Sequence, residues 1–324
     1  MVSDMSDAFA FKYDDKKILR RSSSGGAFSA LSDYTLENNG IVYGAVYDFD
    51  NNKVEHVRAS DWIKRDIMRG SKYLQSTIGD SFSLVSKDLK EGRMVLFSGT
   101  ICQIAGLKHF LSVKNTPMNK LFTCDIICHG VASPLVWKQY IEYKSTQKLK
   151  WINFRNKDLG WENSKAIAQN STNIIDLSEY MKLYYSHTIM RPSCHTCKFT
   201  STTRCSEITI GDFWGIEKLD IKFDYNNGIS FVMSNNEKGK ILLKRIFETN
   251  PKIKFQKINV SDVRQPNFYA PTKASVIRKR FWKDYKKKGI SFIIKKYASD
   301  IFAYKKIIFL QKIMDFIFFM IRRN

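Results

Sequence analysis

A chain of 324 residues that is 44% hydrophobic and 14% aromatic can bury one large core or two moderate ones, which excludes a mainly disordered protein. The N-terminus is acidic and lacks the basic-then-apolar pattern of a secretory signal, and no uninterrupted apolar run reaches the roughly 18 residues of a membrane span, so a cytoplasmic protein is expected. The net charge of +22 is uneven, with 14 Lys or Arg against three Asp in residues 275–324; without a helix-turn-helix, zinc-finger or RNP sequence beside it, this excess disfavours a nucleic-acid partner.

In chain order, Arg20 to Gly26 precedes an apolar pattern at helical spacing (Ala27, Phe28, Leu31, Tyr34). The serines are expected to cap that helix, and its free N–H groups beside two arginines make either a phosphate site or an ordinary capped start. Ile41 to Asp48 and Lys53 to Ala59 are β-rich and read as a hairpin around Phe49–Asn52. Arg69 to Ser76, with Lys72 and Tyr73, reads as a surface turn or as a grip for a phosphate or acidic substrate.

Between Arg93 and Tyr143 the pattern is strand, helix, strand, helix, with Ser133 as N-cap and Pro134 at the first helical position. Such a βαβα unit makes the two strands parallel neighbours. Cys102 then follows the carboxyl end of the first strand and Cys128 that of the second, where open α/β sheets collect ligands. Cys124, inside an apolar strand, reads as a core residue. His129 is a proton-donor candidate in a polar turn.

Trp151 to Lys157 reads as a strand, residues 166–177 as a hairpin around Asn170 to Thr172, and residues 178–186 as a helix. Cys194 and Cys197 form a CxxC pair, a tight turn that aims two thiolates at one metal centre. In a reducing cytosol these cysteines read as metal ligands rather than disulfide partners. The run from Glu207 alternates as a strand and breaks at Gly211 and Gly215, leaving Asp212 as the general acid or base candidate. Residues 229–235 suit a buried strand, followed by an amphipathic helix.

Past Pro271 the composition changes to basic and aromatic. In Ile307 to Ile321 the polar residues Gln311, Lys312 and Asp315 share one helical face. The tail 271–324 is expected either to lie at an anionic membrane surface, making the protein peripheral on its inner face, or to dock on the protein's own core.

The ordered segments RSSSGG, RGSKYLQS, LFSGTICQIAGL, CHGVASP, INFRNKDLGW, RPSCHTCKF and EITIGDFWG resemble the coenzyme F420 hydrogenase/dehydrogenase beta-subunit family, from about Ala8 to about Lys288. The resemblance implies an α/β iron–sulfur flavoprotein with mixed sheets, and the change of composition past Pro271 sets residues 1–270 apart as its oxidoreductase domain. It implies FAD beside a 4Fe–4S cluster, with Cys102, Cys128, Cys194 and Cys197 as cluster ligands and Cys124 and Cys205 left out. Ser24, Gly25, Gly26, Ser98, Gly99 and Thr100 would contact the flavin, and Lys72 would lie near flavin or substrate. Ile101, Ala132 and Glu207 depart from the family pattern. The chain starts just after where the N-terminal ferredoxin-like module of relatives ends. Electrons are therefore expected from an external ferredoxin, NAD(P)H or a reduced deazaflavin, and would go to a small-molecule substrate. Bacterial relatives point to a sugar nucleotide or lipid-linked sugar of surface polysaccharide biosynthesis. Two other readings remain open: an electron-transfer subunit that turns over no small molecule, and a structural zinc protein.

Overall fold

The computed structural model describes residues 6–299 and 304–310. Its strands, in chain order, are β1 (Ala8–Tyr13), β2 (Ile41–Asp48), β3 (Lys53–Ala59), β4 (Ser76–Thr77), β5 (Val95–Thr100), β6 (Leu121–Ile126), β7 (Trp151–Asn156), β8 (Lys165–Gln169), β9 (Ile174–Asp176), β10 (Ile208–Asp212), β11 (Ser230–Ser234) and β12 (Ile253–Ile258). Nine of them form one mixed sheet in the order β12-β1-β11-β10-β6-β5-β2-β3-β4, and β7-β8-β9 form a small antiparallel sheet.

The mixed α/β class expected from the sequence is the one found. Strands β5 and β6 pair in parallel, with Val95 opposite Leu121 and Thr100 opposite Ile126. The reason is local. The helix Ile101–Val113 follows β5 without a loop, opened by a capping box in which Thr100 and Gln103 satisfy each other's groups. A chain returned by such a helix lays the next strand down parallel to the first. The parallel block continues through β2 and β10, and the hairpin β2–β3 turns at Phe49–Asn52.

Apolar residues on both faces of this block make a three-layer core. On one side Val42, Leu96 and Cys124 meet Leu31 and Leu242 from the helices Ala27–Glu37 and Glu237–Thr249. On the other, Tyr43, Phe97 and Leu121 meet Val85 and Leu107 from the helices Ser81–Lys90 and Ile101–Val113. Strands β1 and β12 have no counterpart in the sequence reading. They are recruited at long range, β1 pairing antiparallel with both β11 and β12.

A further core lies around Trp137, Tyr140, Tyr180 and Tyr184, which are buried together with Phe281, Tyr285, Ile293 and Tyr297. The helix Arg278–Ile294 thus packs on the helices Pro134–Lys144 and Ser178–Tyr185. The polar face of Gln311, Lys312 and Asp315 lies outside the described residues. No described helix is long and apolar enough to cross a membrane.

Candidate cofactor site

The carboxyl ends of β5, β6 and β10 converge on a cavity of about 260 Å3. Ser24, Gly26, Lys72, Ser98, Gly99, Thr100, Cys128, His129 and Asp212 all line it. It sits where parallel strands leave backbone groups unpaired, the usual ligand crevice of an open sheet.

One wall is the start of the helix Ala27–Glu37. Here the expected serine caps are corrected. Gly26, at φ +88°, is the N-cap, and no side chain caps the helix. Ser22 Oγ donates to Ile18 O, Ser23 Oγ accepts from Ser71 N, and Ser24 Oγ donates to Ile229 O. The serines stitch this loop to its surroundings, so the first-turn N–H groups of Ala27, Phe28 and Ser29 reach the cavity without a side-chain partner. Gly25 does not line the cavity. A Cβ there would come within 2.3 Å of Phe11 O and 2.5 Å of Ser230 N, so glycine is needed for close approach of the loop to β1 and β11. Arg20 and Arg21 are tied to Asp158 and Asp66.

The stretch from Arg69 to Ser76 is more than a surface turn, because Arg69 through Leu74 line the cavity. Lys72 organises it. Its Nζ donates to Met68 O at 2.7 Å, Arg69 O at 3.0 Å and Ile67 O at 3.2 Å, just beyond the helix Trp62–Asp66. Burial pushes this ammonium down to about 7, and three carbonyl acceptors satisfy all three of its protons. Lys72 therefore shapes the loop from within the cavity wall.

His56, on β3, is 6% exposed and also lines the cavity. Its Nε2 donates to Ser98 O at 3.0 Å, which leaves Nδ1 as a buried acceptor with no partner. Burial lowers its pKa to about 4, with Lys72 adding to the effect. Asp212 is an ion-paired carboxylate: its Oδ2 accepts from Arg155 Nη1 at 2.8 Å and Trp214 Nε1 at 3.4 Å. His129 lies between Asn267 Oδ1, 2.8 Å from its Nδ1, and His187 Nε2, 3.0 Å from its Nε2. Asn267 Nδ2 donates to Thr272 Oγ1, so its Oδ1 takes the His129 Nδ1 proton. Burial lowers the His129 pKa, so it stands as a neutral hinge between two polar partners.

At the cavity's edge the four expected cysteines come together. Cys102 is the second residue of its helix, Cys128 follows β6, Cys194 lies within the turn Pro192–Thr196 and Cys197 ends it. The Cys128 thiol feels the other three. Burial pushes it up to about 12, Gly130 N–H opposes that at 3.3 Å, and Cys102, Cys194 and Cys197 push it further. Burial also raises Cys194, with Val131 N–H opposing, Cys102 and Cys197 reinforcing and Arg191 opposing. Burial thus holds the Cys128 and Cys194 thiols against ionisation, a balance that a multivalent cationic centre reverses when it binds. Among the described residues no three or more His, Cys, Asp or Glu converge tightly enough for a single metal ion.

Gly130, in the Cys-His-Gly turn, is irreplaceable by geometry. It holds φ +123°, and a Cβ there would meet Met190 Sδ at 2.9 Å and Cys194 Cβ at 3.3 Å. Cys124 is buried in the sheet core, and Cys205 is exposed beside Lys108, which binds its carbonyl oxygen.

Sequence reading missed His56, Gln103, Arg155, Tyr185 and Asn267 as cavity residues. Only Gln103 carried a signal, the Thr-x-x-Gln capping box.

A family model that describes the C terminus of the coenzyme F420 hydrogenase/dehydrogenase beta subunit matches residues 92–261. No curated protein matches the chain. Among solved structures, a chain of the F420-reducing NiFe hydrogenase complex from Methanosarcina barkeri, determined as a xenon derivative, is similar in fold. Its TM-score is 0.54 at 18% identity, over 89% of each chain. With the matched segment spanning β5, β6, the four gathered cysteines and β10, the chain belongs to the coenzyme F420 hydrogenase/dehydrogenase beta-subunit family.

Proposed function

We propose that this chain is an iron–sulfur flavoprotein oxidoreductase that binds FAD in the cavity of about 260 Å3 and a 4Fe–4S cluster at Cys102, Cys128, Cys194 and Cys197. One observation carries the reading: an uncapped helix N-terminus and the thiol of Cys128 line the same cavity. When bound, the two groups supply two-electron and one-electron chemistry respectively.

The chain's own residues supply position and charge. The N–H groups of Ala27 and Phe28 and the dipole of their helix favour a phosphate. Orphaned Nδ1 of His56 offers an acceptor to an N–H or O–H of a bound ring. Gly130 N–H, already donating to Cys128 Sγ, stabilises negative charge on that sulfur.

For the electron donor we favour an external ferredoxin, with NAD(P)H or a reduced deazaflavin as alternatives. Arg191 and Arg278 are the charged side chains that act on Cys194 besides the other cysteines, and Lys198, Lys279 and Arg280 are exposed nearby in sequence. Such a cationic surround favours an acidic one-electron carrier. The electron acceptor is a small molecule, and we place a sugar nucleotide or lipid-linked sugar of surface polysaccharide biosynthesis first. The exposed Lys283, Lys286, Lys287 and Lys288 suit a cytoplasmic protein peripheral to an anionic membrane face through residues 275–324.

Anaerobic purification followed by an absorption spectrum, with iron, zinc, acid-labile sulfide and released-flavin assays on the same sample, tests this reading. Broad visible absorption with iron, sulfide and FAD, its cluster component lost in Cys128→Ala, is the expected result. Colourless protein with stoichiometric zinc after anaerobic reconstitution overturns it.

A further inference from the structure

A second cavity, of about 1050 Å3, lies between the small sheet and the turn after β10. Arg155, Tyr185 and Trp214 line it and the cofactor cavity alike, so the two share a wall. We propose that this second cavity is a ligand site for an uncharged, hydroxyl-bearing ring, a glycosyl unit in chemical class, held against the shared wall.

Buried donors without acceptors come first. Trp161 is 7% exposed, lines the cavity, and its indole Nε1 has no partner; Arg155 Nε is likewise buried and unpartnered. Leaving such groups unpaired is costly, and an oxygen acceptor on a ligand removes the cost. Exposed aromatic faces come second. Trp214 is 44% exposed and Tyr185 37%, and flat rings of this kind pack against the apolar face of a ring ligand.

The rim then selects charge. Glu162 and Glu217 line it with no ion-pair partner among the described residues, and they accept hydroxyl protons. Lys165 and Lys182, whose Nζ donates to Ala298 O at 3.0 Å, face three lining carboxylates, these two and Asp176. The Arg155 guanidinium is neutralised by Asp212. A polyanion gains little from such a rim, whereas a neutral polyol finds donors inside, acceptors outside and aromatic faces between.

The ligand's role as substrate rests on the cofactor reading of the first cavity; its binding does not. Saturation-transfer-difference NMR on the full chain, with methyl N-acetyl-β-D-glucosaminide as probe and NADPH as competitor, tests the site. We expect transfer to the ring protons of the glycoside, no displacement by NADPH, and loss of transfer in Trp214→Ala, whose exposed side chain makes misfolding a minor concern. Trp161→Phe keeps an aromatic ring while removing the N–H and the five-membered ring that carries it, and should weaken binding by roughly fivefold or more, the worth of at least one hydrogen bond. No transfer in the parent chain, equal transfer in Trp214→Ala, or displacement by NADPH overturns the proposal. Iron and flavin assays on the same samples separate the two readings. Cofactor-free protein that binds the glycoside sinks the redox reading alone, and loaded protein that ignores it sinks this site alone.

Discussion

Arg155 Nη1 donates to Asp212 Oδ2 at 2.8 Å across 57 positions of sequence, and the arginine faces both cavities. Burial disfavours the Arg155 cation, and Asp212 together with Tyr73 and Tyr185 more than offsets it, so its pKa is raised overall. Their side chains are only 13% and 15% exposed. Removing one partner strands a charge in the wall between the chambers. Asp212→Asn should therefore cost about 2–4 kcal/mol in urea unfolding, and the double variant Arg155→Met/Asp212→Asn should recover part of that loss. Strictly additive effects would show that the pair is not coupled.

Gly130→Ala should cost about 1–3 kcal/mol through its left-handed backbone and its contacts with Met190 and Cys194. Because the displaced atom belongs to a proposed cluster ligand, iron and sulfide uptake after anaerobic reconstitution should fall more steeply than thermal stability. Full iron content at a lowered melting temperature would separate Gly130 from the cysteine ring.

His56 predicts an acid limb. Its folded pKa of about 4 lies below the unfolded 6.5, so the folded state binds fewer protons. The contribution of this neutral histidine is fully present above pH 6.5 and is lost as pH falls toward 4, by an amount on the order of 2–3 kcal/mol. His56→Gln retains a donor for Ser98 O and does not titrate. Urea midpoints measured between pH 7.5 and 4 should decline more gently in this variant. Parallel curves would place the acid sensitivity elsewhere.

Lys72→Met removes an ammonium held by three carbonyl oxygens within the cavity wall. Charged hydrogen bonds of this kind are worth about 1.5–3 kcal/mol each in favourable settings, so a loop loosened by their loss should bind flavin roughly tenfold more weakly. Fluorescence titration of the apoprotein with FAD reads this directly. Unchanged affinity with unchanged stability would leave Lys72 without a shaping role.

Phe281→Ala tests how far the basic tail belongs to the fold. The ring is fully buried in the core of Trp137, Tyr140 and Tyr180, so truncation should cost about 3–5 kcal/mol. A chain ending at residue 270 should expose those aromatics and aggregate. A soluble, cooperatively folding 1–270 would restore the boundary that composition alone draws there.

The sequence by itself determined the βαβα unit, both hairpins, the CxxC turn and the family, because each is written in short-range periodicity, capping residues or an ordered set of motifs. It also placed Cys102 and Cys128 at one edge of the sheet, since parallel neighbouring strands leave no other arrangement. Only the tertiary structure decided which groups face that edge. His56 comes from a strand two places away in the sheet, Asn267 from beyond β12, and Arg155 from a separate sheet. Strands β1 and β12 escaped notice because their partners lie more than 200 residues apart. Of the serines before Ala27, Ser24 had an acceptor in Ile229 O, just ahead of β11, and Ser22 one in Ile18 O of the preceding helix, and these outcompeted the local cap. Pairings of this kind depend on which surfaces meet once the apolar faces are buried, and no local pattern in the chain encodes them.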